Sequence, residues 1–214
     1  MEASVGLRES NKARTRLSIS DTATRLFIEH GFENVTVAQI AEAAQVSVKT
    51  VFNYFSSKED LFFDRAGDVR DALLAAVQER SEGTSMVEAL HAVLADRRVP
   101  FDRDGWRSLR NPERYEGYRS FIAAEYASPI LQARRLAIAE HLGEALGAAF
   151  ADELRDRRTA GVLAAMTVAL LVLRERELAQ AILQRASPRT VERRVRAVVD
   201  EGFERLASAF GDLS

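Results

Sequence analysis

Cysteine is absent from this sequence, and only three histidines occur among its 214 residues. Without cysteine, the chain cannot form a disulfide framework, a thiolate metal site or a cysteine nucleophile. The histidines, His30, His91 and His141, stand far apart and form no HxH or HxxxH pair, which argues against a zinc enzyme. We therefore expect no metal and no other cofactor.

A long hydrophobic run is also missing. The most apolar stretch covers residues 160–173, and its 14 residues fall short of the roughly 20 that a transmembrane helix needs. This stretch is interpreted as a buried helix or a subunit interface. The N-terminal residues are charged and contain no apolar block, so they do not indicate a secretion signal. We expect no membrane association and a cytoplasmic location.

Charge points only weakly to a nucleic-acid partner, because the whole chain carries a net charge of −2. Residues 1–58 contain seven Lys and Arg against six Asp and Glu, a net charge of +1. The cations that stand closest together are Arg8, Lys12, Arg14 and Arg16. Since DNA affinity depends on where charge is placed, residues 1–14 are interpreted as a mobile basic arm. Such an arm is either a solvated tail or a contact to phosphate or the minor groove.

Apolar spacing predicts three helices in the first 58 residues. The first covers residues 15–30, buries one face and stops at Gly31. Two short helices follow Thr36 and Ser47, which are both good N-cap residues. Because the connection between these short helices is tight, they can share a core only by crossing steeply, which is the arrangement of a helix-turn-helix.

The second short helix has an apolar face and a polar face. Residues at helical spacing that are predicted to pack inward are Val48, Val51, Phe52 and Phe55. The polar face carries a single positive charge and consists of Lys49, Thr50, Asn53 and Tyr54. A polar face of this kind is the surface that a helix-turn-helix places in a DNA major groove.

A longer pattern carries a family resemblance. The chain reads Phe27-x-x-x-Gly31-Phe32, Thr36-Val37-x-x-Ile40-Ala41-x-x-Ala44-x-Val46-Ser47 and Thr50-Val51-Phe52-x-Tyr54-Phe55-x-x-Lys58-Glu59-x-Leu61. In these residues it resembles the N-terminal DNA-binding domain of the TetR family of bacterial transcriptional regulators. The resemblance implies an all-α fold, with an N-terminal three-helix helix-turn-helix DNA-binding domain followed by a helical ligand-binding and dimerisation domain. We expect the first domain over residues 15–58 and the second over residues 59–214.

The resemblance also implies DNA contacts. Thr50, Tyr54 and Lys58 resemble the family's phosphate contacts, and Thr36 resembles the helix-entry residue near the DNA backbone. Positions that usually reach base edges or nearby phosphates hold Ser47, Val48, Lys49 and Asn53. Their chemistry suits guanine for Lys49, a base edge or phosphate for Asn53, and a thymine methyl group for Val48.

Two positions depart from the family pattern. Gln45 stands in the turn where the family usually has glycine. A positive φ there would cost on the order of 1 kcal/mol, so the turn is either mildly strained or slightly reshaped. Phe52 stands where tyrosine is common, so a hydroxyl contact to phosphate is not carried over. Two alternatives remain open: Tyr54 could pack on the first helix, and Lys58 could pair with the acidic residues that follow it.

Residues 59–214 are predicted to form a series of helices interrupted by a break at residues 81–85 and a loop over residues 99–112. The series begins with one long helix from Lys58 to about Arg80. The helix predicted over 159–184 is apolar nearly all round, so it must be covered on two sides. Residues 188–210 supply part of that cover, and a second copy of the chain supplies the rest, giving a four-helix homodimer interface about a two-fold axis. The resemblance implies the same interface.

A small-molecule effector pocket among the central helices is expected to be mostly apolar with a few polar groups. The residues predicted to line it are Trp106, Tyr115, Tyr118, Arg119, Phe121, Ile122, Tyr126 and Met166. For each aromatic residue taken alone, a place in the core explains the pattern at least as well.

These features predict a homodimeric transcriptional repressor that a small molecule releases from an inverted-repeat operator in double-stranded DNA. A ligand-independent DNA-binding protein of the same fold is the alternative. An enzyme is not expected, because the carboxylates on the central helices lack a Glu-x-x-His arrangement. These carboxylates are Glu125, Glu140, Glu144 and Asp152.

Overall fold

The computed structural model describes residues 2–96, 105–154 and 156–210, with side chains described for residues 10–95, 107–154 and 156–210. All regular secondary structure in these ranges is helical, which confirms the all-α prediction. The α-helices are α1 Glu2–His30, α2 Val37–Ala43, α3 Val48–Tyr54, α4 Lys58–Phe62, α5 Ala66–Gln78, α6 Met86–Asp96, α7 Pro112–Ala127, α8 Pro129–Leu154, α9 Arg157–Leu183 and α10 Pro188–Phe210. A 3₁₀ helix, Gly105–Arg110, precedes α7.

The chain divides into two compact units. The first contains Met1–Asp64 and Ser120–Arg134, and the second contains Arg65–Arg119 and Arg135–Ser214. Helices α7 and α8 therefore each contribute residues to both units. The predicted helix-turn-helix, α2 and α3, lies in the first unit, whereas α9 and α10 lie in the second.

Phenylalanine rings form much of the core of the first unit. The ring centroid of Phe27 lies 5.2 Å from that of Phe32 and 5.7 Å from that of Phe62. Phe62 in turn stacks on Phe121, with 3.9 Å between the centroids and 13° between the planes. The face of α1 that was predicted to be buried packs into this core through Ile19, Ala23 and Phe27. Helix α4 and the last turns of α7 therefore share one hydrophobic cluster with α1.

The first helix is longer than the sequence pattern indicated. It begins at Glu2, whereas residues 1–14 were predicted to form an arm and the helix to begin near residue 15. The early residues lack a hydrophobic stripe, but many of them are good helix formers. Extending a helix that packing has already nucleated costs far less than starting a new one. Lys12 and Arg14 are exposed on this extension.

The long helix predicted from Lys58 to about Arg80 is two helices. Helix α4 ends at Phe62, a turn covers residues 63–65, and α5 begins at Ala66. Leu61 and Phe62 are buried in the first unit, and Val69 and Leu73 are buried in the second. The break allows each apolar set to pack in its own core, which the continuous periodicity of the sequence could not reveal.

Lys58 is a structural residue of the first unit. Its Nζ donates hydrogen bonds to the backbone oxygens of Phe32 at 2.9 Å and Val35 at 3.1 Å. The same ammonium group lies 4.1 Å from the centroid of the Phe32 ring, within the range of a cation–π interaction. The acidic residue two positions on, Asp60, pairs with Arg134 instead. Lys58 therefore ties the start of α4 to the connector between α1 and α2.

The second unit has a separate core, which α5, α6, α8, α9 and α10 supply. Its most deeply buried apolar residues include Leu73, Val77, Leu90, Leu146, Phe150 and Leu163. The guanidinium of Arg174 is buried as well, where its Nε donates to the Leu94 oxygen at 3.3 Å and its Nη1 pairs with Glu175 at 2.5 Å. Helices α9 and α10 approach closely at Gly202, because a Cβ atom there would overlap the side chain of Leu170.

The turn between α2 and α3 places Gln45 in the left-handed region, with a φ of 56°. Gln45 N donates to the Glu42 oxygen at 3.0 Å and Val46 N donates to the Ala41 oxygen at 2.9 Å. This pair of bonds is the Schellman motif, in which glycine usually occupies the left-handed position. The turn thus keeps the geometry that favours glycine, with a side chain at positive φ.

Replacing Gln45 with glycine should therefore stabilise the first unit by about 1 kcal/mol, because the steric cost of a side chain at positive φ disappears. The Gln45→Ala variant is the matched control, since alanine keeps the Cβ and should leave stability nearly unchanged. Thermal unfolding followed by circular dichroism measures both variants. A Gln45→Gly protein that melts at or below the wild-type temperature would contradict the strain at this turn.

Replacing Lys58 with methionine should lower the melting temperature by several degrees, because two partly buried carbonyl groups lose their ammonium donor at a cost of about 1–3 kcal/mol. Methionine keeps much of the apolar stem, so the loss reports mainly on the charged group. Lys49→Met, which removes an exposed cation on α3, should leave the melting temperature within about one degree. Equal melting of the two variants would show that the Lys58 hydrogen bonds do not stabilise the fold.

Candidate nucleic-acid interface

Side-chain caps fix the first residue of each helix in the helix-turn-helix. Thr36 Oγ1 accepts from Gln39 N at 3.2 Å, and Gln39 Oε1 accepts from Thr36 N at 2.8 Å, which together form a capping box. Ser47 Oγ accepts from Thr50 N at 2.9 Å and lies 2.7 Å from Thr50 Oγ1. Both predicted caps are confirmed, and both hydroxyl groups hold the helix starts in place.

Two buried residues determine which face of α3 reaches solvent. Val51 is 1% exposed and Phe55, which caps the end of the helix, is 3% exposed. They lie four positions apart and therefore on one edge of the helix. Lys49 and Asn53 lie on the opposite side and are exposed, while Tyr54 is half-buried. The polar face predicted from the sequence is thus turned outward around Lys49 and Asn53.

Phe52 was predicted to pack inward, and this was wrong; Val48 has the outward position that the family resemblance implied, not the inward one that apolar spacing indicated. Val48 is 41% exposed and Phe52 is 52% exposed. A helix of seven residues makes only about two turns, so it can bury little more than the edge that Val51 and Phe55 occupy. The outward face of α3 consequently has an apolar part beside its polar part.

The structure gathers most of the predicted DNA contacts on one short element. Six of the eight belong to α3 or its N-cap: Ser47, Val48, Lys49, Thr50, Asn53 and Tyr54. Thr36 is exposed at the start of α2. Lys58 is apart from them, because two hydrogen bonds turn its ammonium group toward the backbone of the α1–α2 connector.

Contacts from a distant stretch of the chain support this surface, and no local pattern in the sequence indicates them. Asp60 on α4 pairs with Arg134 Nη2 at 2.5 Å. Ser128 Oγ donates to the carboxylate of Glu33 at 2.6 Å. With the stacking of Phe121 on Phe62, these contacts join residues 120–134 to α4 and to the α1–α2 connector, which flank the helix-turn-helix in the sequence. Their only sequence signal is the chemical complementarity of residues that lie 74 and 95 positions apart.

Three of the residues predicted to bind a ligand have internal partners in the second unit. Tyr115 OH donates to the Ala186 oxygen at 2.7 Å, and burial raises the pKa of this phenol. Tyr118 is buried with its hydroxyl 3.2 Å from Ser108 Oγ. Arg119 Nε donates to Glu116 at 2.7 Å, and this bond lowers the pKa of the Glu116 carboxyl. The bonds of Tyr115 and Tyr118 tie the first part of α7 to other residues of the second unit, whereas the Arg119–Glu116 bond lies within α7.

The other predicted ligand residues are not gathered around them. Phe121 and Ile122 are buried in the first unit, and Tyr126 is exposed there. Met166 lines a groove between α9 and α10. The side chain of Trp106 lies outside the described residues.

The described part of the chain shows no group of three or more His, Asp or Glu side chains that could hold a metal ion. Within the same ranges, no helix is both long enough and apolar enough to cross a membrane.

Comparison with known proteins connects the first unit to a family. Residues 19–64 match the family described as bacterial regulatory proteins, tetR family. The transcriptional regulator TcmR of Streptomyces glaucescens is 38% identical over 85 residues, which cover 40% of this chain and 38% of TcmR. The transcriptional repressor AcnR of Corynebacterium glutamicum is 31% identical over 110 residues, 51% of this chain and 53% of AcnR. The chain therefore spans about half or less of the curated relatives that it matches.

A solved structure extends the likeness of fold beyond the helix-turn-helix. A protein of Mesorhizobium loti MAFF303099, assigned to the TetR family of transcriptional regulators, covers 90% of this chain, and the match covers 96% of that protein. The TM-score is 0.50 at 23% sequence identity, so this likeness concerns the fold alone. All three proteins are named as regulators of transcription and none as an enzyme, in agreement with the expectation for this chain. The capped helix-turn-helix and the match over residues 19–64 together show that this part of the chain is a DNA-binding domain of the kind described as bacterial regulatory proteins, tetR family.

Proposed function

We propose that the protein is a homodimeric transcriptional repressor that binds an inverted-repeat operator in double-stranded DNA and leaves it when a small-molecule effector binds. The observation that carries the proposal is the exposed face of α3, where Lys49 and Asn53 project from a helix that Val51 and Phe55 anchor. The relative AcnR is named a repressor, which supports repression over activation. The protein acts in the bacterial cytoplasm, where operator DNA is accessible.

DNA binding is assigned to the helix-turn-helix and its caps. Lys49 donates to guanine or phosphate, and Asn53 donates to a base edge. Thr36, Ser47 and Thr50 contact the phosphate backbone near the helix starts, and Tyr54 contacts it from the end of α3. Lys58 contributes chiefly by holding α4 to the α1–α2 connector, since two hydrogen bonds of its ammonium group are made inside the first unit.

A dimer is needed because one α3 offers few contacts. Its seven residues place only a handful of side chains in a groove, whereas specific recognition depends on several base contacts. Two copies related by a two-fold axis double the contacts and require half-sites arranged as an inverted repeat.

The surface of α9 and α10 supports such a dimer. Val162 is 51% exposed and Leu173 is 46% exposed on α9, so a partner that covered them would recover the free energy of burying them. A groove of about 400 Å³ lies beside Leu173. Its rim carries both signs of charge, as arginines and glutamates: Arg176, Glu177, Glu201 and Arg205. A two-fold interface pairs a surface with itself, and a rim of mixed charge can match its own copy where a rim of one sign would be repelled.

We assign effector binding to the second unit. Helices α7 and α8 are proposed to transmit the effect of binding to the DNA-binding surface. Each of these helices contributes residues to both units, so a displacement along either helix would alter the positions of Phe121 and Arg134 in the first unit. Phe121 stacks on Phe62 and Arg134 pairs with Asp60. Effector binding that shifts these anchors would change the spacing of the two recognition helices.

A ligand-independent DNA-binding protein is a second candidate, and one observation favours it. Tyr115, Tyr118 and Arg119, which were predicted to bind an effector, use their polar atoms in internal hydrogen bonds. A screen for small molecules that both release bound DNA and raise the melting temperature of the free protein distinguishes the candidates. Such compounds support the effector-controlled repressor, and their absence from a chemically diverse library supports the alternative.

Selection of bound fragments from random double-stranded DNA should enrich one inverted repeat. The Lys49→Ala, Tyr54→Ala double variant should lose this enrichment, because it removes one cation and one aromatic side chain from each recognition helix. Arg70→Ala, which removes an exposed cation from the second unit, is the control and should enrich the same repeat. Enrichment by the double variant equal to that of the wild type would contradict the assignment of α3 to DNA.

Replacing Leu173 with glutamate should convert the dimer to monomers. Burial of this side chain in both copies contributes about 3–6 kcal/mol, so its loss should raise the dissociation constant by a factor of about 10² or more. Leu136→Glu on α8 is the matched control, because Leu136 is 72% exposed but lies outside the proposed interface. Sedimentation equilibrium measures all three proteins. A monomeric wild type, or equal dissociation of the two variants, would exclude this interface.

A further inference from the structure

We infer that Phe52, together with Val48, reads the 5-methyl groups of thymines in the major groove of each operator half-site. The inference rests on the proposed function, because it requires α3 to lie in the groove. It assigns a specificity-determining role to the residue that the sequence pattern placed in the core.

Phe52 differs from the other phenylalanines of this chain. Among the phenylalanine side chains that the structure describes, it is the exposed one, at 52%. Seven of the others are at most 5% exposed: Phe27, Phe32, Phe55, Phe62, Phe121, Phe150 and Phe203. Leaving a phenyl ring in water forgoes the free energy of burying it, and the packing of the first unit does not use this ring. A partner outside the chain would recover that free energy.

The position of Phe52 on α3 identifies the direction that the ring faces. With about 100° between successive residues, Phe52 lies roughly 40° around the helix from Val48 and roughly 60° from Lys49. Val48 and Phe52 form an apolar strip, and Lys49 and Asn53 continue the exposed surface beyond it. If Lys49 and Asn53 reach the base edges, the apolar strip must lie in the same groove.

The chemistry of the groove then selects the partner. A phenyl ring has no hydrogen-bond donor or acceptor, so its favourable contact is with an apolar group. The major-groove edges of guanine, adenine and cytosine present donors and acceptors, whereas thymine adds a methyl group. Covering a donor or acceptor with a ring would remove its hydrogen bond to water without replacement. Phe52 and Val48 therefore favour thymine at the positions they cover.

Two other partners could cover the apolar strip, and the experiment has to distinguish them from the thymine methyl groups. The ring could pack on the deoxyribose backbone, in which case every sequence would benefit equally. It could also be covered by another protein chain, in which case it would not affect DNA binding. Both outcomes are distinguishable by removing single methyl groups from the DNA.

The test uses the full-length protein and the inverted repeat obtained by selection from random DNA. Each thymine of the half-site is replaced by deoxyuridine, symmetrically in both half-sites, which removes the methyl group and keeps the base pairing and the O4 acceptor. Losing one buried methyl contact should weaken binding about fourfold, so the symmetrical substitution, which removes one contact from each half-site, should weaken it about 10- to 20-fold. One or two positions in each half-site should show this loss.

Variants then assign the effect to side chains. Phe52→Ala should abolish the effect of deoxyuridine at one position, and Val48→Ala at a neighbouring position. Lys49→Ala is the control, because it should weaken binding while the response to deoxyuridine remains. All three residues are exposed, and melting curves confirm that the variants are folded.

The outcomes separate this inference from the proposed function. If a repeat is enriched but no deoxyuridine substitution weakens binding, the inference is overturned and the repressor proposal stands. The same holds if Phe52→Ala and Val48→Ala respond to deoxyuridine as the wild type does, or if Phe52→Ala weakens binding without any dependence on the methyl groups. If no DNA sequence is enriched at all, both proposals fail.

Discussion

The burial of Val51 and Phe55 is the constraint on which the recognition surface depends. Helix α3 has seven residues, and an isolated helix of this length is unstable in water. Its stability has to come from packing along one edge, from the Ser47 cap and from the turn at Gln45. Once that edge is buried, the helical repeat leaves no freedom in which side chains face outward. The exposure of Lys49 and Asn53, and equally of Phe52, follows from this one contact.

The same reasoning extends to the support of α3 within the first unit. Helix α4 is only five residues long and holds its place through contacts to distant parts of the chain. Lys58 binds two carbonyl groups of the α1–α2 connector, Phe62 stacks on Phe121, and Asp60 pairs with Arg134. Because the last two partners come from α7 and α8, the geometry of the helix-turn-helix depends on residues far along the sequence. A DNA-binding unit assembled in this way can respond to changes elsewhere in those helices.

Features that depend on neighbouring residues could be predicted from the sequence, whereas features that depend on distant residues could not. The caps at Thr36 and Ser47, the end of α1 at Gly31 and the positive φ at Gln45 depend on neighbouring residues, and all were predictable. The role of Lys58 was not, because its partners are backbone carbonyls 23 and 26 positions away. Nor did any local pattern indicate that residues 120–134 belong to the first unit. Periodicity alone also misled at Phe52, since it identifies an apolar stripe but cannot tell how much of that stripe a short helix buries.

The weak charge of residues 1–58 gives the exposed apolar strip its significance. Residues 1–58 carry a net charge of only +1, and α3 exposes a single cation. A protein that neutralises few phosphates has little sequence-independent affinity and a shallow dependence on salt. In the proposed complex, affinity must then come from contacts that salt does not screen, which are hydrogen bonds to base edges and apolar burial against methyl groups. Apolar contacts of this kind also discriminate between sequences, so the residues that compensate for weak electrostatics are the same ones that read the operator.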